Sequence, residues 1–118
     1  MIRAAFFHQI RHQDISVAQP ILADVNGDGR ADLIGSGPTV WFGNVDGTFQ
    51  PGVSYGSGGQ RPLSIAVADV NGDGRSDIVQ LSACDSGGNC ANGVVGVLLG
   101  NGDGTFQTAL VFSAGLRI

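Results

Sequence analysis

The sequence predicts an all-β protein built from two copies of one four-stranded antiparallel unit, and three observations lead there. Gly supplies 20 of the 118 residues, while Glu and Lys are both absent, so strong helix formers are scarce and turn formers abound. The octapeptide Ala23-Asp24-Val25-Asn26-Gly27-Asp28-Gly29-Arg30 recurs unchanged as Ala68 to Arg75, 45 residues later, a fixed period that marks a repeated supersecondary unit. No segment carries an apolar period of 3.6, whereas short apolar runs alternate with turn signals throughout.

Taken in order, residues 1–15 form an N-terminal strand or arm, and residues 4–11 read as the outer strand of a preceding unit. The first unit, 16–61, should hold strands at 19–23, 32–34, 40–42 and 49–55. The second, 62–118, should hold strands at 63–68, 77–81, 94–99 and 106–112, with Asp103-Gly104 turning the chain into the last one. A second repeated block supports the alignment: Gly43-Asn44-Val45-Asp46-Gly47-Thr48-Phe49-Gln50 returns at Gly100 to Gln107 with only Val45 changed, to Gly102. This block is spaced by 57 residues, so the second unit carries a loop insertion of about a dozen residues, about 83–93. Cys84 and Cys90 fall within it, in a Gly/Asn/Ser-rich stretch expected at the surface. A close-range disulfide between them is sterically possible if the loop turns back, and it would favour an oxidising compartment.

Four-stranded antiparallel units at this spacing predict the blades of a β-propeller, packed face to face around an axis. Two blades cannot close a ring that takes about four to eight, and a pair would leave an apolar sheet face open at each end. The predicted propeller is therefore completed by a longer parent chain or by head-to-tail assembly of copies. Heterologous contacts that close give rings, and three or four chains would make a ring of six or eight blades.

The chemistry lies in Asp24-x-Asn26-x-Asp28-x-Arg30-x-Asp32 and its copy Asp69-x-Asn71-x-Asp73-x-Arg75-x-Asp77. Oxygen donors on alternate residues let a short loop wrap a hard cation, with side chains at positions 1, 3, 5 and 9 and the backbone carbonyl of position 7, Arg30 or Arg75, turned inward. An all-oxygen set without His or Cys suits Ca2+ and disfavours zinc or copper. Gly29 and Gly74 stand at position 6, where such loops turn sharply. Six of the ten Asp residues are concentrated here, a repulsion that a bound cation would relieve. An EF-hand would need flanking helices and a bidentate Glu at position 12, where this chain has Gly35 and Gln80.

The loop motif followed by a strand, together with Leu98-Leu99-Gly100-Asn101-Gly102-Asp103-Gly104-Thr105-Phe106, resembles the FG-GAP/VCBS repeat of integrin-α-like propellers, over residues 19–115. The resemblance implies a propeller, one calcium per blade held by the ligands just named, and an extracellular or cell-surface setting. Such blades serve adhesion proteins, sugar-binding lectins and accessory regions of secreted enzymes, so a structural or interaction role, a lectin role and an accessory role all stay open.

Other function classes find little support. The formal charge is −4 and the six Arg are scattered, which removes the footprint of nucleic-acid binding. No apolar run approaches the roughly 20 residues of a membrane helix. Residues 1–14 do not read as a signal peptide, so the signal of an exported parent would lie outside this chain. No catalytic set can be assembled, because His occurs only at His8 and His12 and no Gly-x-Ser-x-Gly elbow is present. His8 and His12 lack a nearby Glu or Cys to complete a zinc site. Trp41, Phe42 and Tyr55 could offer a sugar-stacking platform, but they align with Leu98, Leu99 and Phe112, so core packing is the simpler role. Asp46 and Asp103 are expected to form turns. Glycans or cell-surface proteins are the partners to expect besides further copies of the chain.

Overall fold

A computed structural model describes residues 20–115. The N-terminal arm, including His8 and His12, lies outside the described residues. Eight strands form two four-stranded sheets, and no helix occurs among the described residues. The first sheet is β1 (Ile21–Ala23), β2 (Asp32–Gly35), β3 (Thr39–Trp41) and β4 (Val53–Ser54). The second is β5 (Gly59–Ala68), β6 (Asp77–Asp85), β7 (Val94–Leu98) and β8 (Leu110–Ser113). Each is an antiparallel meander in chain order, so every connection is short and local.

The registers of the two sheets correspond. Leu22 pairs with Leu33 and Leu33 with Trp41 in the first; Val67 pairs with Ile78 and Ile78 with Leu98 in the second. Alternation along each strand gives every sheet two faces, and one face of each is used to form a shared core. Val25, Ile34 and Val40 of the first unit are buried against Ile78, Leu98 and Phe106 of the second, with Ile21, Phe42, Tyr55, Ile65 and Val67 packed around them. The core therefore lies between the sheets, and its apolar burial is the main force holding them together.

Three differences from the sequence expectation have physical causes. The segments expected as strands at 49–55 and 106–112 pair over only part of their lengths. Phe49 and Phe106 instead bridge back to Gly43 and Gly100 in isolated pairs, because the Asp-Gly turns bend the chain sharply before the outer strands begin. β5 starts at Gly59, ahead of the expected residue 63, and absorbs its extra length through a register shift at Pro62 and a positive φ of 56° at Arg61. Proline is tolerated there because β5 is an edge strand.

The third difference corrects the reading of the insertion. Cys84 is not on a surface loop: it lies in β6 and is 2% exposed. The inserted residues lengthen β5 and β6 into a longer hairpin arm before they form a turn, and pairing of Gly59 with Asp85 and Gln60 with Cys84 extends the ladder. Cys84 and Cys90 are joined by a disulfide, as their spacing allowed.

The segment between the blades is held by close approach rather than by side-chain bulk. Ser57 is 3% exposed, and a methyl group placed on Gly96 would collide with its carbonyl oxygen. Gly96→Ala is therefore expected to displace the linker and cost about 1–3 kcal/mol, as overpacked sites do. A denaturant midpoint equal to that of the unaltered protein would contradict this.

Candidate metal centre

Each Asp-rich loop folds around its first carboxylate. In the first, Asp24 accepts backbone N–H groups from Gly27 at 2.8 Å and Gly29 at 2.9 Å. In the second, Asp69 accepts from Gly72 and Gly74, both at 2.8 Å. The glycines allow this wrapping: Gly27 and Gly29 have φ of 76° and 81°, and Gly72 and Gly74 of 77° and 81°, a region that costs a residue with a Cβ. Position 5 repeats the pattern on a smaller scale, since Asp28 accepts from Arg30 N–H and Asp73 from Arg75 N–H, both at 2.9 Å. Asn26 accepts from Asp28 N–H at 3.3 Å.

The last carboxylate of each loop has a different environment. Asp32 and Asp77 are fully buried. Asp32 accepts N–H groups from Val25 and Gly43, both at 2.9 Å. Asp77 accepts from Val70 at 2.9 Å and Gly100 at 2.7 Å. Each thus ties the start of the loop to the chain just beyond the third strand of its sheet. Gly43 and Gly100 are required at those points, because a methyl group there would collide with the carbonyl oxygens of Ala31 and Ser76. The sequence had marked both glycines only as the start of a repeated block; their role as donors to the loop carboxylate emerges from the fold.

These contacts set the protonation of the carboxylates. For Asp24, burial pushes the carboxyl up, but the N–H groups of Gly29, Gly27, Asn26 and Asp28 together hold it below the usual range. For Asp69, the Gly74 N–H leads the groups that hold it down. Burial pushes Asp32 up; the N–H groups of Gly43 and Val25 oppose this, and the negative charges of Asp28 and Asp24 add to it. Within the first loop the two carboxyls are thus pushed in opposite directions, Asp24 down by backbone N–H groups and Asp32 up chiefly by burial.

In the second loop Asp69, Asp73 and Asp77 each offer a carboxylate oxygen, all within 4.8 Å of one another. Calcium holds oxygens at about 2.3–2.6 Å, so oxygens on opposite sides of one ion stand about 5 Å apart. The separations and the all-oxygen chemistry both fit that ion. The first loop presents the same residues but not the same convergence. There the Asp28 carboxylate lies 3.5 Å from the Arg30 guanidinium, whereas the Arg75 side chain runs beside Gly102 and its charge bears on Asp103.

The first loop also sits at the junction of the blades. A methyl group on Gly104 would stand 2.6 Å from the Phe42 ring and 3.1 Å from Asn26 Cβ, and one on Gly27 would stand 3.6 Å from the Gly102 carbonyl oxygen. The Gly-Asn-Gly-Asp-Gly turn of the second blade therefore presses on the Asp-rich loop of the first. Tyr55 completes this junction, with its ring edge-on to Phe106 at 5.3 Å and its hydroxyl donating to the Gly104 carbonyl at 3.2 Å. Tyr55 and Phe42 are core residues, as the sequence alignment suggested. Phe112, the repeat partner of Tyr55, is 55% exposed. Gln80 adds a contact that the sequence did not reveal: it is 1% exposed and accepts the Gly37 N–H of the first blade at 2.8 Å.

Asp46 and Asp103 act as turn formers. Each accepts both the hydroxyl, at 2.6 Å, and the backbone N–H of a following threonine, Thr48 or Thr105. A cavity of about 150 Å3 beside the disulfide-bonded turn is lined by Asp85, Asn89, Asn92, Gly93, Val94 and Ser113. Its carboxylate, Asp85, already accepts the N–H groups of Gly87 and Asn89, which leaves it a structural cap.

The described chain is thus a pair of four-stranded repeat blades with Asp-rich turns between their first and second strands. Residues 24–79, from the first loop through the start of β6, match the FG-GAP-like repeat family. The match takes in both Asp-rich loops and the whole of the first sheet beyond β1, and stops short of the cysteine turn. No curated protein and no solved structure matches the chain.

The Thr48 hydroxyl and N–H hold the Asp46 carboxyl below its ordinary value. Its contribution to stability is complete above the unfolded carboxylate range of about 4 and is lost as pH falls through the lower folded value. Asp46→Ala should therefore lower the melting temperature at neutral pH, and the gap to the unaltered protein should narrow as pH is taken towards about 3. A gap constant with pH would show that the carboxylate charge is not what stabilises the turn.

Proposed function

We propose that this chain is a non-enzymatic calcium-binding module whose metal sites stiffen the blades and prepare them for association. The observation that carries this reading is the convergence of Asp69, Asp73 and Asp77 within 4.8 Å. The ligands would be Asp69, Asn71, Asp73, Asp77 and the Arg75 carbonyl, with Asp24, Asn26, Asp28, Asp32 and the Arg30 carbonyl as their counterparts in the first blade. Calcium would supply charge neutralisation and fixed coordination, and the protein would supply a loop already wound by the glycines.

The loop-1 geometry supports a role beyond local stiffness. Because Asn26 and Gly27 touch the turn of the second blade, an ion bound there would order one side of the junction. In the first loop it would also oppose the negative charges of Asp28 and Asp24, which add to the effect of burial in raising Asp32. The match to FG-GAP-like repeats, which are structural and interaction units, supports a function in contacts with other proteins or with glycans. An extracellular or cell-surface setting agrees with the repeat family and with the Cys84–Cys90 disulfide.

The reading is tested by melting the protein with calcium and with excess chelator. Calcium at about 100 times its dissociation constant should add roughly 2.7 kcal/mol per site. Asp73→Ala should remove the increment belonging to one site while changing the chelator melt far less. Titration calorimetry should then count one ion per chain in place of two. An equal loss of stability in calcium and in chelator would sink the ligand assignment, since it would leave Asp73 as a turn residue only.

A further inference from the structure

Four of the six asparagines precede a glycine: Asn26, Asn71, Asn92 and Asn101. In that dipeptide the glycine nitrogen can reach the carboxamide carbon of the asparagine, since no Cβ hinders its approach. The nitrogen must first lose its proton, so whatever holds that N–H in the fold sets the rate. The four pairs differ on this point. In the Asp-rich loops the N–H groups of Gly27 and Gly72 are each given to a carboxylate at 2.8 Å, Asp24 in one loop and Asp69 in the other. A charge-assisted bond of this kind is stronger than a neutral one, and the carboxylate charge opposes a second negative charge on the nitrogen beside it. Asn101 is restrained at the other reactant: its Nδ2 donates to Thr105 Oγ1 at 2.9 Å, and its Oδ1 accepts from Gln107 Nε2 at 3.3 Å. Asn92 and Gly93 have neither restraint. Among the described residues no acceptor takes the Gly93 N–H and no partner holds the Asn92 carboxamide; only the Gly93 carbonyl is engaged, by the Ala114 N–H at 3.1 Å. Asn92 is exposed, and Gly93, although buried, lines the cavity beside the disulfide-bonded turn, which is large enough to admit water to its backbone. Exposure alone would not select this pair, because Asn71 and Gly72 are both exposed.

We propose that Asn92 is a self-modification site, at which the folded chain deamidates in water ahead of the asparagines in its Asp-rich loops. The Gly93 nitrogen, its proton given to a base in solution, attacks Cγ of Asn92. A C–N bond forms, the bond from Cγ to Nδ2 breaks, and ammonia leaves with a proton taken from water. Water then adds to a carbonyl of the five-membered imide and opens it. Attack at one carbonyl leaves aspartate at 92; attack at the other leaves an isoaspartyl link, with the main chain running through Cβ. The sum is one water consumed and one ammonia released, with no oxidant or reductant. Either product sets a second carboxyl on the cavity that Asp85 already lines. The isoaspartyl form also lengthens the backbone by one carbon just before β7, where Val94 pairs with Ser113. In the Asp-rich loops the first carboxylate has the opposite effect: by holding the glycine N–H it preserves the asparagine two residues further on. That protection comes from the chain's own hydrogen bonds and stands whether or not the loops hold calcium.

The test is peptide mapping by mass spectrometry of the full chain, aged near neutral pH in excess chelator and below the melting transition of the chelated protein. A parallel sample is aged in guanidinium with the disulfide intact. In the folded protein Asn92 should convert about tenfold or more ahead of Asn26 and Asn71, the rate equivalent of one hydrogen bond to a charged group. In guanidinium, where those bonds are gone, the four Asn-Gly pairs should convert at similar rates. Ion exchange of the folded sample should show an early species one unit more negative than the formal −4 of the chain, and Asn92→Ser should remove it. An Asn71 that converts as fast as Asn92 in the folded protein overturns the proposal. So does a ranking that persists in guanidinium, since local sequence rather than the fold would then set it. With chelator present throughout, these outcomes are independent of whether the loops bind calcium.

Discussion

A buried carboxylate shared between two distant stretches of backbone is the interaction on which each blade depends. Asp32 and Asp77 have no access to solvent, and a polar side chain in that position is tolerated only when its oxygens are paired. The pairing comes from one N–H at the head of the Asp-rich loop and one just past the third strand. Each carboxylate therefore fixes the loop relative to the far corner of its sheet. The two glycines that bring those corners close enough follow from it, since the backbone passes nearer than any Cβ would allow. Leaving such a group without one of its N–H partners costs about 1–3 kcal/mol or more, a large share of the stability of a domain this small.

From that constraint the junction between the blades follows. With the loop anchored beneath, its outer residues Asn26 and Gly27 form a fixed surface, and the second blade's turn can pack on it without side chains between. The apolar core supplies most of the energy, but it is directionless. Tyr55 donating to Gly104 and Gln80 accepting from Gly37 supply the direction, because each polar contact is satisfied in one relative placement of the sheets. The two roles thus fall on different copies of the same loop: the first seats the neighbouring turn, and the second gathers the carboxylates of Asp69, Asp73 and Asp77.

The cysteine-bearing insertion shows where reading the chain locally fails. Its Gly, Asn and Ser content describes the turn correctly, and the spacing allowed the disulfide that the structure shows. Yet Ala83 and Cys84 are buried in β6, because the extra residues are paired against a β5 that begins at Gly59. Strand pairing is a property of two segments, and the partner segment looked like linker. The outer strands failed in the opposite sense: Phe49 and Phe106 have strand-like chemistry, but the Asp-Gly turns before them consume the residues that pairing would have used.

By itself the sequence determined the repeat, the all-β class, the four-stranded units and the two loops with their glycines and carboxylates, since all of these are local patterns that recur along the chain. It could not tell apart the surroundings of the two loops, because their candidate ligand residues are the same. Tertiary structure decided that one loop lies against a neighbouring blade while the other brings Asp69, Asp73 and Asp77 together, and that Tyr55 is covered where Phe112 is open. The reason is position in the stack: identical sequences acquire different surroundings according to whether another blade follows, and burial depends on surroundings rather than on residue identity.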